Sequence, residues 1–600
     1  MLDKIYLFAG TIILSLMTIG AGNRVGRIFD RKGLSNIPLC FFVGEIIFSS
    51  IFILVTTWLP FPWNMVIFMI IAIPFLYYGY KAIKNIKHKI SRYRYSEIFI
   101  VVILFLVLSL NFLRVFLKPV AWDDVVYHHP VMKELASGNL HFPLLRESPF
   151  IDFQYHFSQL FGNLPYASES YSAILFNLTG QSEHSAQMVN FINVVFFVVF
   201  LYQFLKKRYL FKRSVILSAI TFILLWFEAF QIISTGYVDM TVYIFQTISI
   251  IMLVNALSNR KYSYYLLSFL FLSYSFGMKY TALYLFPPYL LVTTVSLIKQ
   301  KVKIRTGFIV KLITVAIIGC GYWYLKNIII NHNPTYPFFF GHSGMMEFNY
   351  EVMILQTYYH LQRSLASFTT MLKEVYFNNG FLVVTAPMAV VGLVLDIRKK
   401  KYLAILMGMG IWLMVLNYFR GSQITRFELL FPLSLILLSL IVLNKLRFII
   451  PVMFILLLGM WANSPTQKYY FEDTLKRTLR EITGGAYQGN IGTNCLGEIN
   501  QILMEKNKQA LNFWDPYAAT FYANTNRFYN FKGQINYDNF NIPDSVNYLY
   551  INESLKAAFE NQKDFHADIY PEKRLVLGNK LIRGKVIVYQ KEECILYKIK

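Results

Sequence analysis

Apolar runs long enough to cross a bilayer recur along this chain, and Lys and Arg gather in every second gap between them. The runs lie near 4–20, 36–57, 63–82, 97–117, 188–205, 214–231, 239–257, 263–277, 280–298, 307–325, 379–396, 402–418, 427–444 and 447–462. A helix needs about 20 apolar residues to span the hydrocarbon. Backbone polar groups inside lipid must be satisfied within the segment, so runs of this length read as transmembrane helices. The expected fold is therefore an α-helical polytopic membrane protein of about 13–14 spans. The pair at 263–298 is interrupted by Gly277-Met278-Lys279 and reads either as two helices or as one long bent helix.

The basic gaps orient the set. They hold Arg24 and Lys32; Lys81, Lys84, Lys87, Lys89, Arg92 and Arg94; Lys206, Lys207, Arg208, Lys212 and Arg213; Arg260 and Lys261; Lys299, Lys301, Lys303 and Arg305; Arg398 to Lys401; and Lys445 with Arg447. Basic loops stay cytoplasmic. That puts the N-terminus, the loops 58–62, 118–187, 232–238, 326–378 and 419–426, and the tail from 463 outside. The net charge of +24 is explained by this topology and calls for no nucleic acid. A charged fraction of 15% and a hydrophobic fraction of 56% fit a chain that faces lipid over most of its length. The first run, 5–19, lacks a small-residue cleavage site and reads as a spanning helix rather than a signal peptide. Usage rich in Lys, Ile and Asn points to AT-rich coding and a bacterial inner (plasma) membrane.

The outside segments differ in character. Loop 118–187 mixes apolar and polar residues at helical spacing over 125–135, 155–164 and 168–178, too short to span, and reads as helices lying in the interface. Loop 326–378 is rich in Tyr, Phe, Asn and His, as suits a membrane–water boundary. The tail carries strand-like runs at 510–514, 546–551 and 585–589 with a helical stretch at 553–562, which predicts a small C-terminal α/β soluble domain. The domain plan is 1–96 for three additional N-terminal spanning helices, 97–462 for a catalytic core, and 463–600 for the extracytoplasmic domain. Of four cysteines, Cys40 and Cys320 fall in apolar runs, whereas Cys495 and Cys594 lie in the tail and are able to pair if it is outside the cytoplasm.

The strongest chemical constellation is Trp122-Asp123-Asp124-Val125-Val126-Tyr127-His128-His129-Pro130, directly after the fourth span. Ionisable groups at the edge of an apolar protein are costly unless solvated or used. Capping of the helix near Val125 is the plain alternative for Asp123 or Asp124, but the cluster of Asp, Asp, Tyr, His and His favours function. Other candidates on the same side are Asp239 at the mouth of the seventh helix, Lys279 in the next outer turn, Asn327, Asn333 and Tyr336 after the tenth, and Arg426 before the thirteenth. Each alone reads as a capping or snorkelling residue. Together they place acids with a lysine and an arginine on one face, a set suited to a base and an anion such as phosphate.

These residues resemble the GT-C superfamily of integral membrane glycosyltransferases, which includes protein O-mannosyltransferases and the aminoarabinose transferase of lipid A. The resemblance rests on the acidic motif Trp122-Asp123 with Tyr127-His128, a Tyr-x-Asp at 237–239, a Gly-x-Lys-Tyr-Thr turn at 277–281, Asn-Pro-x-Tyr-Pro at 333–337, and Arg426, in family order across 118–445. Family members usually have one helix before the acidic loop; this chain has four. The resemblance implies inverting transfer of a sugar from a polyprenyl-phosphate donor to an outer-leaflet or extracytoplasmic glycan, lipid or protein. On this reading Asp123 is the base, Asp124 or Asp239 orients the acceptor or tunes that base, Lys279 and Arg426 bind the donor phosphate, and Tyr127, His128, His129, Asn333 and Tyr336 contact substrate. No metal ligand set is assigned; the Asp pair leaves a divalent cation open as cofactor, without further oxygen ligands at suitable spacing to support it. The competing readings are a transporter or flippase of lipid-linked sugar, which would place its charges nearer the bilayer midplane, a glycan ligase, and a non-catalytic assembly factor.

Overall fold

The structure is a computed structural model. It describes residues 2–29, 36–84, 95–117, 128–138, 164–225, 232–300, 306–335, 364–373, 381–399, 402–420 and 429–446, and in the tail 472, 475–476, 499, 502–503, 505–512, 528–529, 542, 544–552, 556, 560, 572–591 and 594–600. Thirteen of the fourteen apolar runs are helical; the last, 447–462, lies outside the described residues. Eight helical stretches among the described residues are long and apolar enough to cross a membrane.

The first four helices are α1 (Leu2–Val25), α2 (Ile37–Trp58), α3 (Trp63–Lys84) and α4 (Tyr95–Val115). The start of α2 is fixed by Asn36, whose Oδ1 accepts from the Leu39 amide at 3.0 Å, with a proline in the first turn. Two short helices follow, α5 (His129–Ser137) and α6 (Ala167–Leu178), and then α7 (Ser185–Phe204), α8 (Arg213–Leu225), α9 (Asp239–Asn259) and α10 (Tyr262–Phe276). The break at 277–279 is real: a 3-10 turn, Tyr280–Leu285, leads into a separate helix, α11 (Phe286–Lys299). Next, α12 (Thr306–Ala316) passes through a π turn at Ile317–Gly321 into α13 (Tyr322–Asn331). The bundle continues with α14 (Leu365–Met371), α15 (Phe381–Arg398), α16 (Ala404–Arg420) and α17 (Leu430–Leu443).

The helix ends sort into the two sets that the charge pattern predicts. On the predicted outer side, the Phe61 amide donates to the Ser137 carbonyl at 2.7 Å, the Ala167 amide to the Gly277 carbonyl at 2.8 Å, and Asn190 Nδ2 to the Thr235 carbonyl at 2.6 Å. Around the basic loops, Asn36 meets Gln203 at 2.7 Å, Arg213 meets Glu97 at 3.7 Å, and Lys212 N donates to Asn444 Oδ1 at 2.9 Å.

One hydrophobic core runs through the helices from Leu7 to Leu440. The additional N-terminal helices are built into it. Thr18 of α1 bonds Tyr171 of α6, and Ser49 of α2 bonds Tyr274 of α10, both at 2.8 Å; Thr57 of α2 donates to the Tyr322 hydroxyl at 3.0 Å. Helix α6 departs from expectation. It does not lie in the interface: every residue from Ala167 to Phe176 is buried inside the bundle. Its serines make this tolerable, because they turn back on the helix's own carbonyls, Ser170 to Tyr166 at 2.9 Å and Ser172 to Ser168 at 3.2 Å, and leave no bulky polar face.

The tail forms a five-stranded sheet of β1 (Gln509–Asn512), β2 (Phe528–Tyr529), β3 (Val546–Asn552), β4 (Val586–Lys591) and β5 (Cys594–Lys598), ordered β2-β1-β3-β5-β4. The β1 strand is parallel to both β2 and β3, and β5 is antiparallel to β3 and β4. Residues alternate between faces: Leu549 and Ile551 join Leu577 and Leu581 of α18 (Glu572–Ile582), whereas Tyr548 and Tyr550 join Ile499 and Leu503. Both faces are covered, as the near-continuous apolar β3 requires. Cys594 is disulfide-bonded, whereas Cys40 and Cys320 are thiols; Cys495 and most of the predicted helix 553–562 lie outside the described residues.

Candidate functional site

The turns at one end of the bundle bring two side-chain pairs together. Asp239 opens α9, where an acidic side chain suits the positive end of the helix dipole. Its Oδ1 receives Lys279 Nζ at 2.7 Å. Lys279 is delivered by the turn after α10, which is tight because Gly277 lies against the Gly319 carbonyl of the π turn; a Cβ at 277 would come within 2.5 Å of that oxygen. Beside Lys279, Asn327 of α13 donates to the Tyr280 hydroxyl at 2.6 Å.

The second pair is His128 with Glu169. His128 Nδ1 and Glu169 Oε1 are 2.5 Å apart, and both residues are buried. His128 precedes α5, whose end is pinned by Gly138: φ is +71°, and a side chain there would strike the Leu59 carbonyl and Asn64. Glu169 stands in the first turn of the buried helix α6. The His128 ring lies 6.2 Å from that of Tyr237, two residues before Asp239. Burial pushes the Glu169 carboxyl up to about 8; nearby Lys279 pulls it down and Asp239 pushes it up. The two pairs thus form one electrostatic cluster of two acids, a lysine and a histidine.

Of the residues singled out in the sequence, His128, Asp239 and Lys279 converge here. His129 is buried but turned elsewhere, its Nε2 bonding the Glu183 carbonyl at 3.0 Å. Asn333 Oδ1 accepts from the Thr335 amide at 2.9 Å in a local turn. Asp123, Asp124, Tyr127, Tyr336 and Arg426 lie outside the described residues. Glu169 is the member that sequence reading passed over. Its signal was a single carboxylate in the run Tyr166-Ala167-Ser168-Glu169-Ser170-Tyr171, which looked like the polar face of a surface helix.

Residues 169–323 match the dolichyl-phosphate-mannose-protein mannosyltransferase family. The match starts at Glu169 and takes in Asp239 and Lys279, so three of the four clustered groups fall inside it. The resemblance to GT-C membrane glycosyltransferases is borne out over this stretch and supports a glycosyltransferase of that type. No curated protein matches the chain.

A narrow cleft with a cavity volume of about 30 Å³ lies beside Asp239. Val242, Tyr243 and Gln246 line it from the same face of α9, at i+3, i+4 and i+7 from Asp239. Thr281 and Tyr284 face them from the 3-10 turn, and Asn417 from α16.

Proposed function

We propose that this protein is an inverting glycosyltransferase that moves a sugar from a polyprenyl-phosphate donor to an extracytoplasmic glycan, lipid or protein acceptor at a bacterial inner membrane. The observation that carries the reading is the convergence of Asp239–Lys279 and His128–Glu169 at one end of the bundle, within and beside the stretch matched by the mannosyltransferase family.

The chemistry suits these residue types. A lipid phosphate is a good leaving group, so the reaction needs charge neutralisation and one base rather than the two carboxylates of a glycosidase. Asp123 takes the proton from the acceptor hydroxyl. Lys279 and Arg426 neutralise the phosphate, and Asp239 keeps the Lys279 ammonium aimed while the donor is absent. Asp124, Tyr127, His128, His129, Asn333 and Tyr336 shape the substrate sites, and Glu169 holds His128. The positive-inside pattern supports an extracytoplasmic position for this end of the bundle and for the tail.

Purified protein in a bilayer mimic, given a panel of polyprenyl-phosphate sugars and outer-leaflet acceptors, tests the proposal. Wild type should release polyprenyl phosphate, and Asp123→Asn should lose transfer while remaining folded. Wild-type activity in Asp123→Asn sinks the assignment of the base. Transbilayer movement of lipid-linked sugar in liposomes, with no transfer to any acceptor, would replace the enzyme with a flippase.

A further inference from the structure

Among the described residues the bundle buries three carboxyls that the mechanism above does not use, Glu45, Glu134 and Asp396, and Glu45 lies deepest in a spanning helix. Glu45, in the middle of α2, is fully buried. No cation pairs with it among the described residues; its neighbours are Asn193 and Tyr274. Asn193 Nδ2 donates to Glu45 Oε1 at 3.3 Å, while Oε2 has no hydrogen-bond partner. A carboxyl placed inside a membrane bundle is costly and calls for a reason.

The bonds leading away from Glu45 supply one. Asn193 also reaches Thr241 Oγ1 at 3.3 Å, and Thr241 donates to Asn190 Oδ1 at 2.6 Å. Asn190 in turn donates to the carbonyls of Thr235 and Tyr237, at 2.6 and 2.7 Å. These groups fix the first turn of α9 and the loop before it, and therefore Asp239 and the Tyr237 ring beside His128. On the other side, the Tyr274 hydroxyl donates to the Ala167 carbonyl at 3.3 Å, two residues before Glu169, and accepts from Ser49, one turn along α2 from Glu45. The hydrogen-bonded chain from Glu45 thus leads to the acid Asp239, while Tyr274, beside Glu45, is bonded into the turn before Glu169. The helix carrying it belongs to the additional N-terminal set, so the network gives those helices a task.

We infer that Glu45 is a positioning residue of the glycosyltransfer site: through Asn193, Thr241 and Asn190 it holds the helix start that carries Asp239. The inference rests on the proposed function for what the site does, but not for the connection itself. The hydrogen bond from Asn193 needs a carbonyl-type acceptor and not a charge, so glutamine should serve where leucine does not.

Three full-length variants test it: Glu45→Leu, Glu45→Gln and Thr241→Val. Transfer kinetics are read together with backbone hydrogen exchange over 232–245. Glu45→Leu should lower kcat about tenfold or more with donor KM changed by less than about threefold, and Glu45→Gln should stay within about threefold of wild type in both. Exchange over 232–245 should quicken in Glu45→Leu and match wild type in Glu45→Gln. If Glu45→Leu does not fold, Thr241→Val interrupts the same chain near its far end and should show the same kcat loss and faster exchange. Wild-type exchange in every folded variant overturns the positioning role, whatever the activity. Loss of kcat in Glu45→Gln equal to that in Glu45→Leu also overturns it, because the requirement would then be for an ionisable group. Absence of transfer in wild type, with exchange quickened as expected, instead removes the proposed function and leaves the connection standing.

Discussion

The helical bundle and the tail sheet use their interiors differently. The bundle buries Glu45, His128, His129, Glu169, Asp239, Lys326 and a series of Asn, Ser and Thr side chains. In the tail, among the described residues, no Asp, Glu, Lys, Arg, His, Asn, Gln, Ser or Thr is buried; its polar contact in the core is Tyr550 OH to Cys594 Sγ at 3.3 Å. Both regions are held by apolar packing, but only the bundle keeps charged groups where water is scarce. Uncompensated buried charge costs several kcal/mol, so such groups persist where they are paired and where they do work. Among the described residues, the buried ionisable groups suited to chemistry all lie in the bundle.

The variant that tests this contrast most severely is Asp239→Ala. It leaves the Lys279 ammonium beside the cleft without its 2.7 Å partner and removes an acid from the cluster. Transfer should fall about 100-fold or more, the scale of losing one preorganised electrostatic group. Activity within about threefold of wild type would mean that the buried pair is a structural bridge, and the contrast between bundle and tail would lose its functional meaning.

Glu169→Gln should act more gently and through pH. The folded-state pKa of Glu169 is raised, from 4.5 to about 8, because burial penalises the carboxylate. A raised pKa means that the folded state binds the proton more tightly than the unfolded chain. Its stabilising contribution is therefore complete below 4.5 and is lost as pH rises through about 8. Wild type should lose melting temperature across that window. Glu169→Gln, which cannot ionise, should lose less, and transfer should drop about tenfold through the weakened hold on His128. Parallel melting curves of the two proteins from about pH 4 to about pH 9, a range that brackets both values, would show that Glu169 does not titrate there.

How much of this was readable in the chain follows from the physics of each signal. The spans were legible because lipid imposes length and apolarity, so thirteen runs emerged as helices with only small shifts of their ends. The turn at 277–279 was legible as a break, but the run alone did not decide between a bend and a stop; the close approach of Gly277 to the π turn does. Asp239, Lys279 and His128 were readable as ionisable residues at the mouths of apolar runs. Glu169 was not, because a Ser-rich helix with one carboxylate has the same pattern on a surface as in a core. Only the packing of α1, α2, α5 and α7 around α6 decides that case. The network of Glu45 was hidden for a related reason: its partners are 148 and more than 200 residues away in sequence, at Asn193 and Tyr274. In the tail, 546–551 and 585–589 were legible as strands from alternation, whereas β5 was not picked out.

The smallest effect on transfer should come from the tail, and it is the control that the comparison needs. Leu549 is fully buried in β3, paired in register with Leu511 of β1 and Tyr597 of β5, so Leu549→Ala opens a cavity at the centre of the sheet. Such a truncation costs about 2–5 kcal/mol, enough to unfold a small sheet domain or to expose it to protease. Limited proteolysis should therefore cut the variant's tail faster than that of wild type. If the tail contributes packing alone, kcat per folded bundle should not change, because the Asp239–Lys279 and His128–Glu169 pairs are held by contacts among the helices. A kcat loss that tracks the proteolysis would show that the sheet takes part in the reaction cycle, through the acceptor or by closing over the outer end of the bundle. A rise in acceptor KM at constant kcat would separate the first of these from the second, since weaker binding alone leaves the bound complex as reactive as before.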